Sequence, residues 1–273
     1  MANTILFVFE GKKAEKQIFR SIQKNFFPMP GSKAAVKSFF CGDMLQLWKK
    51  VKDDEDLDIV EILREIPESD IGDLKRGDVS ETHLFFDHDA HACSGRMSQE
   101  EYHKVTIGML DTFNNEQERG KLWISYPMVE ALKHCKKDAC DYFRDIELKI
   151  YDNTEYKKLV SEQSDYIDIR KYGKCAWYHL TAVNVQRAYC LMNDTCKDEI
   201  TYDEIEKEWF ERNAFIVKAI HEKQYEKFIE PRGTVAVLSP FPLFLLYYRG
   251  RKFFLEDCNC GGLVKECGFR YYQ

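Results

Sequence analysis

Asp87 and Asp89 stand two residues apart at the end of an apolar run, Leu84-Phe85-Phe86. In extended backbone that spacing puts both carboxylates on one side of the strand. Two hard oxygen donors side by side suit Mg²⁺, which takes one or two carboxylates and keeps its other positions for water and phosphate oxygens. A third acid, Glu10, closes another apolar run, Thr4-Ile5-Leu6-Phe7-Val8-Phe9, and Gly11 follows it. Glu10 can complete a metal site or move a proton. Glu130 follows a third run, Leu122 to Ser125, and can hold a second ion, giving the two-metal clamp that cleaves phosphodiesters. A lone Asp-x-Asp is ordinarily a loop cap or turn former, and a lone Glu-Gly says less still. Three apolar strands that each deliver acids point instead to a shared site. The expected metal ligands and catalytic residues are therefore Glu10, Asp87, Asp89 and Glu130, with Mg²⁺ as cofactor and Mn²⁺ able to replace it.

Those acids need strands to carry them. A short apolar run bounded by glycine is the pattern of a strand buried on both faces of a parallel sheet, and open α/β sheets keep ligands at the carboxyl edge. Ala14, Ile18, Ile22 and Phe26 share one face of a helix spanning Lys12 to Asn25. Ala35 to Cys41 reads as a strand and Met44 to Val51 as a helix. Thr82 to Phe86 is the next strand, and Ser98 with Glu101 forms a capping box that opens a helix to Asn114. After Leu122 to Ser125, Pro127 fits the first turn of a helix that would set Glu130 and His134 on one face. The alternation predicts an α/β domain over residues 1–137, a mostly parallel sheet flanked by helices. Residues 138–273 read as mainly helical, with helices over Asp138 to Glu162 and Trp177 to Met192. A capping box at Thr201 and Glu204 opens a third, running to Phe228. Thr234 to Leu238 reads as a returning strand. Ser239 would then cap a short helix, Leu243 to Tyr248, with a hairpin turning at Arg249-Gly250 as the competing reading.

Composition sets the wider limits. The chain has 273 residues, 44% of them hydrophobic and 32% charged, as in an ordinary globular protein. No secretory signal is read at the N-terminus, and the longest apolar stretch, Phe241 to Tyr248, is too short to span a bilayer. The ten cysteines then read as reduced thiols, and the expected location is the cytoplasm. The net charge of −6 is concentrated: Asp53 to Asp78 holds eleven acids against three bases, leaving +2 for the remainder. This block, an insertion at residues 53–78, reads by default as a solvated helix face with Ile59, Ile62, Leu63 and Ile66 turned inward. The sharper reading is a nucleic-acid mimic or a partner-docking segment. Lys12, Lys13 and Lys16 follow Glu10, and Lys133, His134, Lys136 and Lys137 follow Glu130, so these are the expected contacts to a phosphate backbone. His88 should point away from Asp87 and Asp89 toward the core, and His91 reads as a loop histidine. Cys258, Cys260 and Cys267 invite a zinc reading but lack a clear second pair at metal spacing.

The stretch Phe7-Val8-Phe9-Glu10-Gly11-Lys12-Lys13-Ala14-Glu15, with Leu84-Phe85-Phe86-Asp87-His88-Asp89, resembles the TOPRIM domain of topoisomerases, primases and OLD-type nucleases. With Ser125-Tyr126-Pro127-Met128-Val129-Glu130 added, it is most similar to stand-alone TOPRIM nucleases of bacterial anti-phage and abortive-infection systems, the RloB and AbiL types. The resemblance covers residues 4 to 135. It implies a metal-dependent endonuclease on DNA or RNA, tRNA included, acting as a toxic effector under an ATPase partner; a homodimer is compatible with it. Two departures stand out. The acidic block lengthens the separation of Glu10 and Asp87, and the C-terminal half matches no topoisomerase or primase module, which favours the nuclease branch. Two other classes stay open. A HAD-type phosphatase would make Asp87 a nucleophile, but places His91 where that family has threonine or valine. A non-catalytic scaffold that binds a partner would leave the clustered acids without a purpose.

Overall fold

The computed structural model describes residues 4–27, 35–40, 44–53, 58–66, 71–88, 97–136, 147–149, 153–197, 200–211, 216–250 and 253. They form an α/β protein with a mostly parallel sheet flanked by helices, and the chain divides into two compact units. The first takes residues up to 86 together with 104–123; the second takes 87–103 and everything from 124. The units interleave along the chain.

The first unit holds β1 (Thr4–Phe9), β2 (Ala35–Phe40), most of β3 (Val79–Asp87), β4 (Asn114–Asn115) and most of β5 (Gly120–Ser125). The strand order is β2-β1-β3-β5-β4, with β1 parallel to both neighbours and β4 antiparallel to β5. All six residues of β1 are buried, as a central strand with apolar cover on both faces requires. Phe7 and Phe85 lie ring on ring at 5.7 Å across the β1–β3 pair, and Phe19 from α1 (Ala14–Phe26) closes on Phe7 at 5.3 Å. Fully burying such a ring contributes roughly 1.5–3 kcal/mol, so this cluster anchors both strands. The helix face expected from spacing forms: Ile18, Ile22 and Phe26 are buried. α2 (Met44–Asp53) and α3 (Ile59–Glu65) follow, and the latter, within the acidic block, buries Ile59, Val60, Ile62 and Leu63. Asp58 caps it by accepting the Glu61 N–H at 3.0 Å. Residues 54–57 and 67–70 of the block lie outside the described residues.

α4 (Gln99–Thr112) begins in the second unit and ends in the first. Its capping box forms, with the Ser98 N–H on the Glu101 carboxylate at 2.7 Å and the Glu101 N–H on the Ser98 hydroxyl at 3.2 Å.

In the second unit the expected helix over Asp138 to Glu162 is not continuous. Glu147–Lys149 is a strand, β6, antiparallel to β7 (Thr234–Ala236), and α5 starts only at Asn153 and runs to Gln163. Two features favour the strand: Leu148 turns inward between exposed neighbours, and the Glu147 carboxylate accepts from Arg232 and from Thr234 of β7, more than 80 residues away. Residues 137–146 lie outside the described residues. α6 (Lys174–Asn193) is buried through most of its length, and α8 (Ile216–Gln224) and α10 (Pro240–Arg249) pack on it. The Thr201–Glu204 capping box forms and opens α7 (Tyr202–Ile205), but the expected helix to Phe228 is interrupted by wider π-helical turns at 206–211 and 225–229. α9 (Glu230–Arg232) is a single turn. After β7 the chain enters α10 rather than a hairpin, and Gly250, at φ 53°, ends it with its N–H on the Leu246 carbonyl.

Cys190 and Cys196 are joined by a disulfide, against the expectation of reduced thiols throughout. Asp194, in the left-handed region at φ 57°, reverses the chain after α6 and brings the two Cα atoms to 4.5 Å. Cys258, Cys260 and Cys267 lie outside the described residues. No helix among the described residues is long and apolar enough to cross a membrane.

Candidate functional site

Glu10 is the residue after β1, half-buried, and its N–H reaches the Phe85 carbonyl of β3 at 3.4 Å. The parallel register that pairs Phe9 with Phe85 brings the chain there. Gly11 has a specific role. A Cβ built on it would overlap the carboxylate of Glu15, which folds back from the first turn of α1 and is buried. The first unit thus gathers two carboxylates at the end of β1, Glu10 and Glu15. The second is not among the expected ligands, because an acid in a first helical turn is ordinarily explained by the helix dipole alone. Lys12, Lys13, Lys16, Arg20 and Lys24 are exposed around the same helix, and Glu15 is the only acid on it.

Asp87 is the last residue of β3 and half-buried. Asp89 and His91 lie outside the described residues. His88 turns into the core: its N–H donates to the Ser125 carbonyl at 2.8 Å, and its ring lies 5.1 Å from Tyr102, 5.2 Å from Tyr126 and 5.7 Å from His221. The period-2 geometry of a strand sends it opposite to Asp87.

Glu130 sits in a 3₁₀ turn, Val129–Leu132, in place of the expected α-helix carrying both Glu130 and His134. The turn is closed by i→i+3 bonds, the Ala131 N–H on the Met128 carbonyl and the Lys133 N–H on the Glu130 carbonyl, each at 2.9 Å, and other elements tie down the chain just beyond it. Arg187 of α6 donates to the His134 carbonyl at 2.7 Å, and the Ser164 hydroxyl donates to that of Lys133. His134 is therefore not the surface phosphate contact expected of it: it is 1% exposed and packs 5.5 Å from the Tyr156 ring. Burial, then the positive charge of Arg187, pushes its pKa down to about 4, so it is neutral at pH 7. Lys133 and Lys136 are half-buried.

The Tyr156 hydroxyl is pushed far above its ordinary pKa, first by burial and further by the carboxylates of Glu130 and Asp87, while Arg187 opposes the shift. Arg187 is itself buried in α6, which lowers its pKa. One carboxylate oxygen of Glu130, Oε2, and the Tyr156 hydroxyl are buried and lack a hydrogen-bond partner among the described residues. Leaving a polar group in that state costs about 1–3 kcal/mol, more if charged. Tyr156 and Arg187 carry no readable signal in the sequence: one is a tyrosine in an amphipathic helix, the other a lone arginine in a long buried one.

An unsatisfied, buried carboxylate oxygen is a donor of the hard-oxygen kind that suits Mg²⁺ or Mn²⁺. Among the described residues no group of three or more His, Cys, Asp or Glu is gathered closely enough to hold an ion, and Asp89 is not one of them. Comparison with protein-family profiles, with curated proteins and with solved structures returned no match.

Proposed function

We propose that the chain is a metal-dependent phosphodiesterase of the TOPRIM nuclease class that cleaves DNA or RNA. One observation carries the reading: β3 ends in Asp87, and Glu10 directly follows β1, its parallel neighbour in the sheet. Open parallel sheets bind ligands at that edge. The orphaned oxygen of Glu130 supports the reading as a further donor.

When bound, Mg²⁺ or Mn²⁺ neutralises phosphate charge and lowers the pKa of a coordinated water. Asp87 and Glu130, with Asp89 from outside the described residues, are the residues that would hold it. In the first unit, Glu10 is the acid that would accept a proton, and the Glu15 carboxylate lies against Gly11 beside it. Lys12 and Lys13, with the rest of the exposed basic face of α1, hold the nucleic-acid backbone. The role as a toxic defence effector under an ATPase partner rests on the resemblance of the motifs, and co-expression with candidate ATPases is its separate test.

Plasmid DNA and total tRNA are incubated with Mg²⁺, Mn²⁺ or EDTA and with wild type, Glu10→Gln or Asp87→Asn. Metal-dependent cutting that falls at least 100-fold in both variants is expected, and the substrate cut names the class. Cutting that persists in EDTA, or that both variants retain, removes the assignment.

A further inference from the structure

The hydroxyl of Tyr156 has no partner among the described residues, although the residue is only 4% exposed. Its ring explains its position: it packs with Met128, Ala131, Val160 and Val237 beneath the turn that carries Glu130. The oxygen is not explained by packing. A phenylalanine would fill the same space without leaving a buried polar atom unmet, so the fold alone gives no reason for tyrosine. Glu130 Oε2 is unmet in the same way. Two unsatisfied buried oxygens, one a donor and one an acceptor, mark a place where a polar guest completes the hydrogen bonding.

We propose that Tyr156 is a ligand-contacting residue whose hydroxyl donates to an oxygen of the guest held by Asp87 and Glu130, either a metal-coordinated water or a phosphate oxygen. Arg187, behind it on α6, is a positioning residue that fixes the backbone at His134, four residues beyond Glu130. A phenol hydroxyl is a hydrogen-bond donor, which suits an oxygen bearing negative charge. The assignment rests on the metal-dependent reading of Asp87 and Glu130.

Tyr156→Phe tests it. Thermal unfolding of the metal-free protein is the first readout, and a midpoint equal to or above wild type is expected, since the variant loses only an unsatisfied group. Titration with Mn²⁺ alone, by calorimetry, is the second, and cleavage kinetics the third. Mn²⁺ affinity reduced about 10-fold assigns the hydroxyl to a metal-bound water. Unchanged Mn²⁺ affinity with kcat reduced about 10-fold or more assigns it to a phosphate oxygen. A midpoint lowered by several degrees overturns the proposal, because the hydroxyl would then serve the fold. So does a variant that matches wild type in both Mn²⁺ affinity and turnover. Unfolding and Mn²⁺ binding need no turnover, so they decide between a role in the fold and a contact to metal-bound water even for a chain that fails as a nuclease. Tyr156→Leu, which removes ring and hydroxyl together, separates packing from hydrogen bonding: it lowers the midpoint where Tyr156→Phe does not.

Discussion

Gly11 and Glu15 show how residue identity reaches beyond local conformation. The glycine leaves room for a carboxylate four residues on, which would meet any Cβ at that position. Gly11→Ala is expected to displace Glu15 and to lower turnover about 10-fold. Because only one flexible side-chain end must move, the stability cost should stay near 1 kcal/mol. A double-mutant cycle with Glu15→Ala checks this: once Glu15 is removed, Gly11→Ala should change little, and additive effects would sink the claim. At this scale the sequence is partly legible. Glu10 and Asp87 can be read because each closes an apolar strand. Tyr156 and Arg187 cannot, since their claim depends on partners 26 and 57 residues from Glu130. Glu15 and His134 take the wrong weight, one as an ordinary first-turn acid and one as a surface cation, because spacing does not reveal burial.

Among the elements, α1 carries the most direct consequence for binding. Its outward face shows Lys13, Lys16, Arg20 and Lys24, and none of these four makes an ion pair among the described residues. At about 1.5 Å per residue the stripe is roughly 16 Å long, enough to follow several phosphates of one strand. Replacing all four by glutamine is expected to flatten the salt dependence of nucleic-acid binding, measured in EDTA so that no cleavage intervenes. The slope of log K against log salt should fall by about 3 for single strands and closer to 4 for duplex DNA; an unchanged slope would show that α1 is only a solvated face. Elements with strong local signals are legible: the two capping boxes, the apolar β1, and the buried stripe of α1. The 3₁₀ turn at Val129–Leu132 and the strand β6 are not, because side chains from distant segments, Arg187 and Ser164 in one case and Arg232 and Thr234 in the other, decide them. Tertiary bonding overrides local pattern there.

For the whole molecule, buried histidines set the response to acid. His83 in the first unit and His134 and His221 in the second all have pKa values lowered from the ordinary 6.5, with burial the leading cause each time. A histidine depressed on folding binds more protons when unfolded, so its contribution is complete above pH about 6.5 and is lost as pH falls toward the folded value. For His134 that window runs from 6.5 to about 4, worth at most about 3 kcal/mol. Urea midpoints are therefore expected to drop steadily from pH 7 to pH 4.5, and His134→Gln should flatten part of the drop. A profile indifferent to pH over that range would contradict it. The interleaved path of the chain has a further consequence, for modularity. Three crossings, at residues 86/87, 103/104 and 123/124, stitch the two units together. No single cut in the polypeptide releases either one intact. A fragment ending at residue 137 would carry Asp87 and Glu130 away from Tyr156 and Arg187, and an end-to-end fusion of this sheet to another module would transplant an incomplete unit. Recombination can move the chain only as a whole.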